Sequence, residues 1–375
     1  MHTRPRLTPA VADVRRAVRE SLTALIDAQH PGPAEQPGPT DSIDQPGRPG
    51  STGRPTPLVL VALSGGADSL ALAIATAFEA PRTGFRAGAI VVDHGLQAGS
   101  AEVAARASAA ARELGLNPVS VVQVQVGSAG GPEAAARDAR YEALGAEARR
   151  HGASAVLAGH TLDDQAETVL LGLARGAGAG SLQGMSLVTP LGNIDNGVAL
   201  LRPLLGIRRS ATEEVCAHAG REPWSDPHNL DPRYARVRAR STVLPLLETE
   251  LGPGVVEALA RTAEQLREDT EALDLFAAEM IEDLVEPAEA GLSLSVAGLA
   301  ANPPAVRNRL IRLAVASEFG VSLSRAHTLQ VARLVTGWRG QGPLDLPGIR
   351  AVREGGRIAF SATSPAGPEA GISRE

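Results

Sequence analysis

Four short strings in this 375-residue chain place reactive residue types close together. The first is Ser64-Gly65-Gly66-Ala67-Asp68-Ser69, directly after the apolar run Leu58–Leu63. Small residues at such a turn let the backbone approach an anion closely. A helix starting there offers free N–H groups and the positive end of its dipole. Ser64 and Ser69 add hydroxyl donors, and Asp68 suits a magnesium ion carried on a pyrophosphate. The dinucleotide pattern GxGxxG does not fit, and a P-loop lysine is excluded because all 36 basic residues are arginine. The second string is Asp93-His94, at the carboxyl end of another apolar run. In the third, Glu133, Arg137 and Arg140 share a helix face, either as an intrahelical ion pair or as a guanidinium facing phosphate. In the fourth, His160, Asp164 and Glu167 share a face at i, i+4 and i+7, where two carboxylates and an imidazole could bind a metal or an ammonium group.

These strings need a scaffold that brings them together. Leu58–Leu63, 89–92, 119–126 and 155–158 read as strands, and 69–79, 100–115, 132–151 and 161–175 as helices. That alternation predicts a parallel sheet with helices on both faces and ligands at the carboxyl ends of its strands. Residues 9–28 read as an amphipathic helix, and the Pro- and Gly-rich stretch 31–57 as a flexible linker. After Pro245 the pattern is helical, over about 254–285, 304–318 and 324–336, and 342–361 reads as a small hairpin.

Composition narrows the function classes. A net charge of -6 argues, taken alone, against a nucleic-acid partner. The charge is segregated, however: 248–289 holds 13 acids and two arginines, and 307–353 holds eight arginines and two acids. This is compatible with a local anion-binding face, although a solvated surface would look the same. One cysteine, Cys216, excludes a disulfide framework and cysteine-based zinc or iron–sulfur sites. No segment reaches membrane-spanning length, so a cytoplasmic protein is expected.

Taken in order, the strings resemble the PP-loop ATPases, which cleave ATP to AMP and pyrophosphate. Within that group they are most similar to the tRNA(Ile)-lysidine synthetase family. Residues 64–69 resemble its SGGxDS loop, Val91–Leu96 its VDHGL, Glu133–Tyr141 its EAxARxxRY helix and Gly159–Thr168 its GHxxDDQxET. Arg175–Met185 resembles RGSGxxGLxGM, with Ala177 where many relatives carry Ser. Arg202–Leu205, Trp224–Asn229 and Arg236–Arg240 are similar to RPLL, WxDPSN and RNxxR, with His228 for Ser and Val237 for Asn. The likeness is strong over about 58–245, weaker over 246–361 and absent from 1–57.

The resemblance implies a doubly wound parallel α/β sheet of the adenine nucleotide alpha-hydrolase type, followed by a smaller, mostly helical C-terminal domain. The resemblance over 58–245, with the residue pattern on either side, divides the chain into an N-terminal helix and linker (1–57), a catalytic domain (58–245), a helical tRNA-binding domain (246–340) and a hairpin with a disordered tail (341–375). It implies ATP-dependent adenylation of the wobble cytidine of tRNA(Ile) with a CAU anticodon, then attack by free L-lysine. By resemblance, Ser64, Gly65, Gly66, Ala67, Asp68, Ser69, Asp93 and His94 bind ATP, and Asp68 holds Mg²⁺. Asp68, Arg140, His160, Asp164 and Glu167 are the expected catalytic set, and Arg236 and Arg240 the tRNA contacts. No membrane partner is expected, and a homodimer is the candidate assembly. The rival readings are a PP-loop tRNA thiolase, disfavoured by the single cysteine, and a non-catalytic nucleotide- or tRNA-binding relative.

Overall fold

The computed structural model describes residues 8–29, 56–93, 95, 99–124, 132–176, 178–192, 197–226, 231–289 and 291–363. His94, Ala177, His228, the linker 31–55, the tail beyond 363 and the side chain of Glu133 lie outside the described residues. The chain forms two compact units, 1–264 and 265–375.

The first unit begins with α1 (Pro9–Gln29), β1 (Leu58–Ala62), α2 (Ala67–Glu79), β2 (Arg86–Asp93) and α3 (Ser100–Glu113). β3 (Val119–Gln123), α4 (Pro132–Arg150), β4 (Ala153–Ala158), α5 (Leu162–Ala174) and α6 (Ala179–Leu182) follow. Then come β5 (Val188–Pro190), β6 (Ala199–Leu201), α7 (Arg209–His218), α8 (Ala235–Arg238), a π-helical turn (Ala239–Val243) and α9 (Leu244–Glu250). The strands lie in the order β3-β2-β1-β4-β6-β5, all parallel except the β5–β6 pair.

β1 shows why its sequence is apolar throughout. Val59 and Val61 face one core, built with α1, α2, α3 and α7. Leu58 and Leu60 face the other, with Ile90, Leu144 and Val156. A parallel strand covered on both faces has no polar side to alternate with. The order also sets the site. From β1 the chain adds β2 and β3 on one side and then returns to place β4 on the other. That reversal opens a crevice at the carboxyl ends of β1 and β4, where a doubly wound sheet binds its ligand.

The N-terminal helix is part of this unit's core. Val14, Val18 and Leu22 are fully buried with Leu72 of α2 and Val215 of α7. Arg19 forks onto the fully buried Glu79 through two bonds of 2.8 and 3.1 Å. Arg15 and Arg82 flank the Phe78 ring at 3.6 and 3.5 Å.

The division between units falls within α10 (Val255–Leu284). The second unit contains β7 (Val285–Ala288), β8 (Gly291–Ser295), α11 (Val296–Ala301), α12 (Pro304–Phe319) and α13 (Arg325–Thr336). It ends with β9 (Leu344–Leu346), β10 (Ile349–Glu354) and β11 (Arg357–Ala362). The expected helices are present, but the expected hairpin is the β10–β11 part of a five-stranded antiparallel sheet, β7-β8-β11-β10-β9. β7 and β8 escape the sequence reading because strands of four and five residues, with Pro287 in the first, are too short to show a period. Leu292, Leu294, Ile358 and Phe360 turn one face of this sheet onto α12 and α13.

Candidate active site

The crevice is a cavity of about 760 Å³, a size suited to a nucleotide-scale ligand. It divides by chemistry. Leu63, Val91, Val92, Val103 and Ala104 make an apolar wall, while Asp68, Arg140, His160, Asp164, Arg209 and Arg240 line the rest.

The loop after β1 is held open by its serines. Ser69 donates to the Gly66 carbonyl at 3.0 Å and accepts from the Ser64 amide at 3.2 Å, with the two hydroxyls 3.0 Å apart. Gly66 is the N-cap of α2, and no side chain caps that end, so the helix N-terminus remains available to an anion. Trp224 donates its amide to the Gly65 carbonyl at 2.9 Å and closes the loop from above. Ala67 opens α2, and its carbonyl accepts from Cys216 at 3.4 Å. Asp93 is buried at the end of β2, where it accepts from the Gly95 amide at 3.0 Å.

β4 reaches the same point from the other side. A Cβ on Gly159 would lie 2.9 Å from the Asp68 backbone, so only glycine lets the end of β4 pack against the first turn of α2. That contact places His160 beside the Asp68 helix. Burial lowers the His160 pKa to about 3, with Arg202, Arg140 and Arg137 adding to the effect and Asp164 opposing it. The imidazole is therefore neutral, and its buried Nδ1 has no hydrogen-bond partner among the described residues.

In the segment Thr161–Thr168 nearly every side chain makes a defined contact. Thr161 caps α5, and Asp164 Oδ2 accepts from its amide and hydroxyl at 2.9 and 3.0 Å. Asp163 accepts from the Arg209 amide at 2.8 Å and pairs with Arg208 at 3.3 Å, docking α7 onto α5. Gln165 grips the backbone of Met185 twice, at 2.9 and 2.7 Å, anchoring the glycine-rich loop. Thr168 donates back to the Asp164 carbonyl at 2.8 Å.

Glu167 is fully buried and meets three guanidinium groups: Arg240 at 2.7 Å, Arg236 at 2.9 Å and Arg209 at 3.4 Å. Asp164 Oδ1 takes Arg209 at 2.9 Å and Arg240 at 3.3 Å. Asp68 takes Arg209 at 3.3 Å and the Thr212 hydroxyl. Burial alone would raise the Asp164 carboxyl, but Arg209, the Thr161 amide and Arg236 outweigh it and hold it below the usual range. Asp68 goes the other way, because burial exceeds the help from Thr212 and Arg209. Burial would lower the Arg209 pKa, yet Asp164, Asp68, Glu167 and Asp163 raise it.

Three acids and three arginines thus cancel. Arg140 stands apart from them. It is half-buried in the cavity wall beside the Tyr141 ring, at 5.5 Å. Among the described residues no carboxylate pairs with it, and burial lowers its pKa, with Arg137 and Arg236 adding to the effect. A half-buried cation with an aromatic neighbour but no carboxylate to neutralise it is suited to an anionic ligand.

The structure brings Asp68, Asp93, Arg140, His160, Asp164 and Arg240 into one cavity, with Glu167 and Arg236 directly behind it. Arg236 and Arg240, expected to contact RNA, are paired here with Glu167 and Asp164. The sequence reading missed Arg209 and Thr212. Both come from the first turn of α7, and their only local signal is a position shortly after Arg202–Leu205.

Comparison with known proteins gives a consistent picture. Residues 42–247 match the family described as PP-loop domain, and residues 294–359 match TilS substrate binding domain. The tRNA(Ile)-lysidine synthase of Leifsonia xyli subsp. xyli is 63% identical over 307 residues, covering 82% of this chain and 90% of that protein. That of Salinispora tropica is 51% identical, covering 94% and 96%. Among solved structures, the U34-tRNA thiolase NcsA from Methanococcus maripaludis is similar in fold, with a TM-score of 0.51 at 18% identity over 69% of this chain and 80% of that one.

Proposed function

The chain belongs to the tRNA(Ile)-lysidine synthase family, and from that premise we propose that it uses ATP to join L-lysine to the wobble cytidine of tRNA(Ile) with a CAU anticodon. The observation that carries this reading is a single cavity with an uncapped helix N-terminus and Asp68 on one side and Asp164, backed by the buried Glu167, on the other. The first suits a polyphosphate and the second an ammonium.

In the first step the cytosine C2 oxygen attacks the α-phosphorus of ATP. A new O–P bond forms, the α–β bridge breaks, and pyrophosphate leaves. The α2 N-terminus, Ser64 and Ser69 receive the pyrophosphate, while the apolar wall around Val91 and Val92 takes the adenine. Arg140 faces the α-phosphate as charge develops there. Asp68 fits a Mg²⁺ ion held jointly with phosphate oxygens, since each carboxylate oxygen has one partner and keeps a lone pair. Bound there, the ion would neutralise charge on the departing pyrophosphate.

In the second step the lysine side-chain amine attacks C2, the C2–O bond breaks, and AMP leaves with the oxygen. Asp164 and Glu167 attract the cationic amine, and His160, held neutral by burial, lines the cavity without adding a competing positive charge. Arg236 and Arg240 lie on a short helix and turn with their side chains 30% and 33% exposed, placed to exchange carboxylate for RNA phosphate.

The test is incorporation of labelled lysine into unmodified tRNA(Ile) with a CAU anticodon, with ATP and Mg²⁺, beside Asp68→Ala. ATP-dependent incorporation that disappears in the variant is expected. Pyrophosphate release with no lysine joined would keep the ATP chemistry and move the nucleophile elsewhere, sulfur first.

A further inference from the structure

Arg209 has no counterpart among the site residues read from sequence, yet it is the one described side chain that touches all three acids. Its Nε lies 3.3 Å from Asp68, its Nη2 2.9 Å from Asp164 and its Nη1 3.4 Å from Glu167. Each nitrogen of one planar fork thus meets a different carboxylate. A guanidinium is rigid, so this arrangement sets the position of Asp68 relative to the other two. We infer that Arg209 is a positioning residue that couples the two half-reactions, by holding the pyrophosphate-side acid and the amine-side acids in one register. This rests on the reading under Proposed function.

Three observations support a fixed role. The Arg209 backbone is itself pinned, its amide donating to Asp163 Oδ2 at 2.8 Å. Thr212, one turn along α7, holds the other Asp68 oxygen, so the helix grips that carboxylate at two points. α1 packs on both α2 and α7 and holds the two helices together.

Charge counting separates Arg209 from its neighbours. With Arg209, Arg236 and Arg240 present the three acids are balanced, -3 and +3, and an incoming ammonium gains nothing. If Arg236 and Arg240 turn to RNA phosphate, the cluster becomes -2 around Arg209 and now attracts the amine. Arg209 then remains to keep three like-charged carboxylates from separating. Without it Asp164 and Glu167 lose their register with the activated base. Water then competes with lysine: its oxygen bonds the phosphorus, the bond from phosphorus to the C2 oxygen breaks, cytidine and AMP are restored, and a proton goes to solvent.

The experiment measures pyrophosphate released and labelled lysine incorporated in the same reaction, for the wild type, Arg209→Gln, Arg209→Lys and Thr212→Val. The wild type should release one pyrophosphate per lysine joined. Arg209→Gln should lower lysine incorporation by about 100-fold, as for a reacting group misplaced by an ångström, and raise the pyrophosphate-to-lysine ratio well above one. Arg209→Lys restores the charge but not the fork, so it should stay uncoupled, and Thr212→Val should uncouple more weakly. A ratio of one in Arg209→Gln, with both products falling together, overturns the inference, as does full recovery of coupling in Arg209→Lys. Should Arg209→Gln fail to fold, Arg209→Lys and Thr212→Val decide alone. A wild type that joins no lysine would instead overturn the proposed function.

Discussion

The anchoring of the glycine-rich loop can be tested by a four-protein cycle on Gly184 and Gln165. Gln165 is 5% exposed and meets the Met185 backbone at 2.9 and 2.7 Å. Gly184 has φ +65, and a Cβ there would lie 2.5 Å from Gln165 Oε1. Gly184→Ala must therefore displace the Gln165 amide. Losing two neutral hydrogen bonds costs about 2 kcal/mol, and holding alanine at that φ about 1 more. Where Gln165→Ala has already removed the amide, only the backbone cost of about 1 kcal/mol remains. The expected coupling is thus about 2 kcal/mol, well above the few tenths seen between independent sites. Urea unfolding followed by Trp224 fluorescence measures it. A Trp338→Phe background is needed, because one tryptophan falls in each unit. Equal costs for Gly184→Ala in both backgrounds would refute the reasoning.

Arg140→Met should abolish tRNA-dependent pyrophosphate release while leaving the unfolding midpoint unchanged or higher, since no internal carboxylate loses a partner; a clear loss of stability would show that Arg140 is structural. His160 makes stability depend on pH. The unfolded chain takes a proton near pH 6.5 that the folded imidazole refuses down to about 3, so stability falls on acidification through that window. The loss is about 2 kcal/mol at pH 5, and unfolding midpoints should show this contribution disappear in His160→Asn. Cys216 is buried, and burial raises its thiol to about 11. Cys216→Ala should cost on the order of 1 kcal/mol of stability and leave lysine incorporation largely intact; loss of all activity in a folded variant would count for sulfur chemistry.

Much of the molecule is legible from its residues one segment at a time. The apolar run of β1, the glycine-serine turn after it and the helix that follows are local signals, and local backbone preferences decide them. The i, i+3 spacing of Asp164 and Glu167 places both on one face of α5, but the expected helical register does not extend to His160, which precedes the Thr161 N-cap and enters the cavity from the end of β4. Order along the chain, together with the rule that parallel crossovers return to neighbouring strands, is enough to bring those groups near Asp68. Hence Asp68, Arg140, His160 and Asp164 share one cavity as read.

Tertiary structure decided which charges meet. Arg209 reaches Asp68 across 141 positions, and Arg240 reaches Glu167 across 73. Among 36 arginines nothing in spacing or composition marks Arg209, and the string that singled out Arg240 did not reveal its pairing with Glu167. Folding selects them because a buried carboxylate must find a cation and hydrogen bonds or give up its charge. The same holds for α1. Its amphipathic pattern reveals a helix with an apolar face, but only packing shows that this face closes over α2 and α7, the helices that carry Asp68 and Arg209. Periodicity records that a surface is to be buried. What covers it depends on contacts between segments far apart in the chain, which only the folded structure brings together.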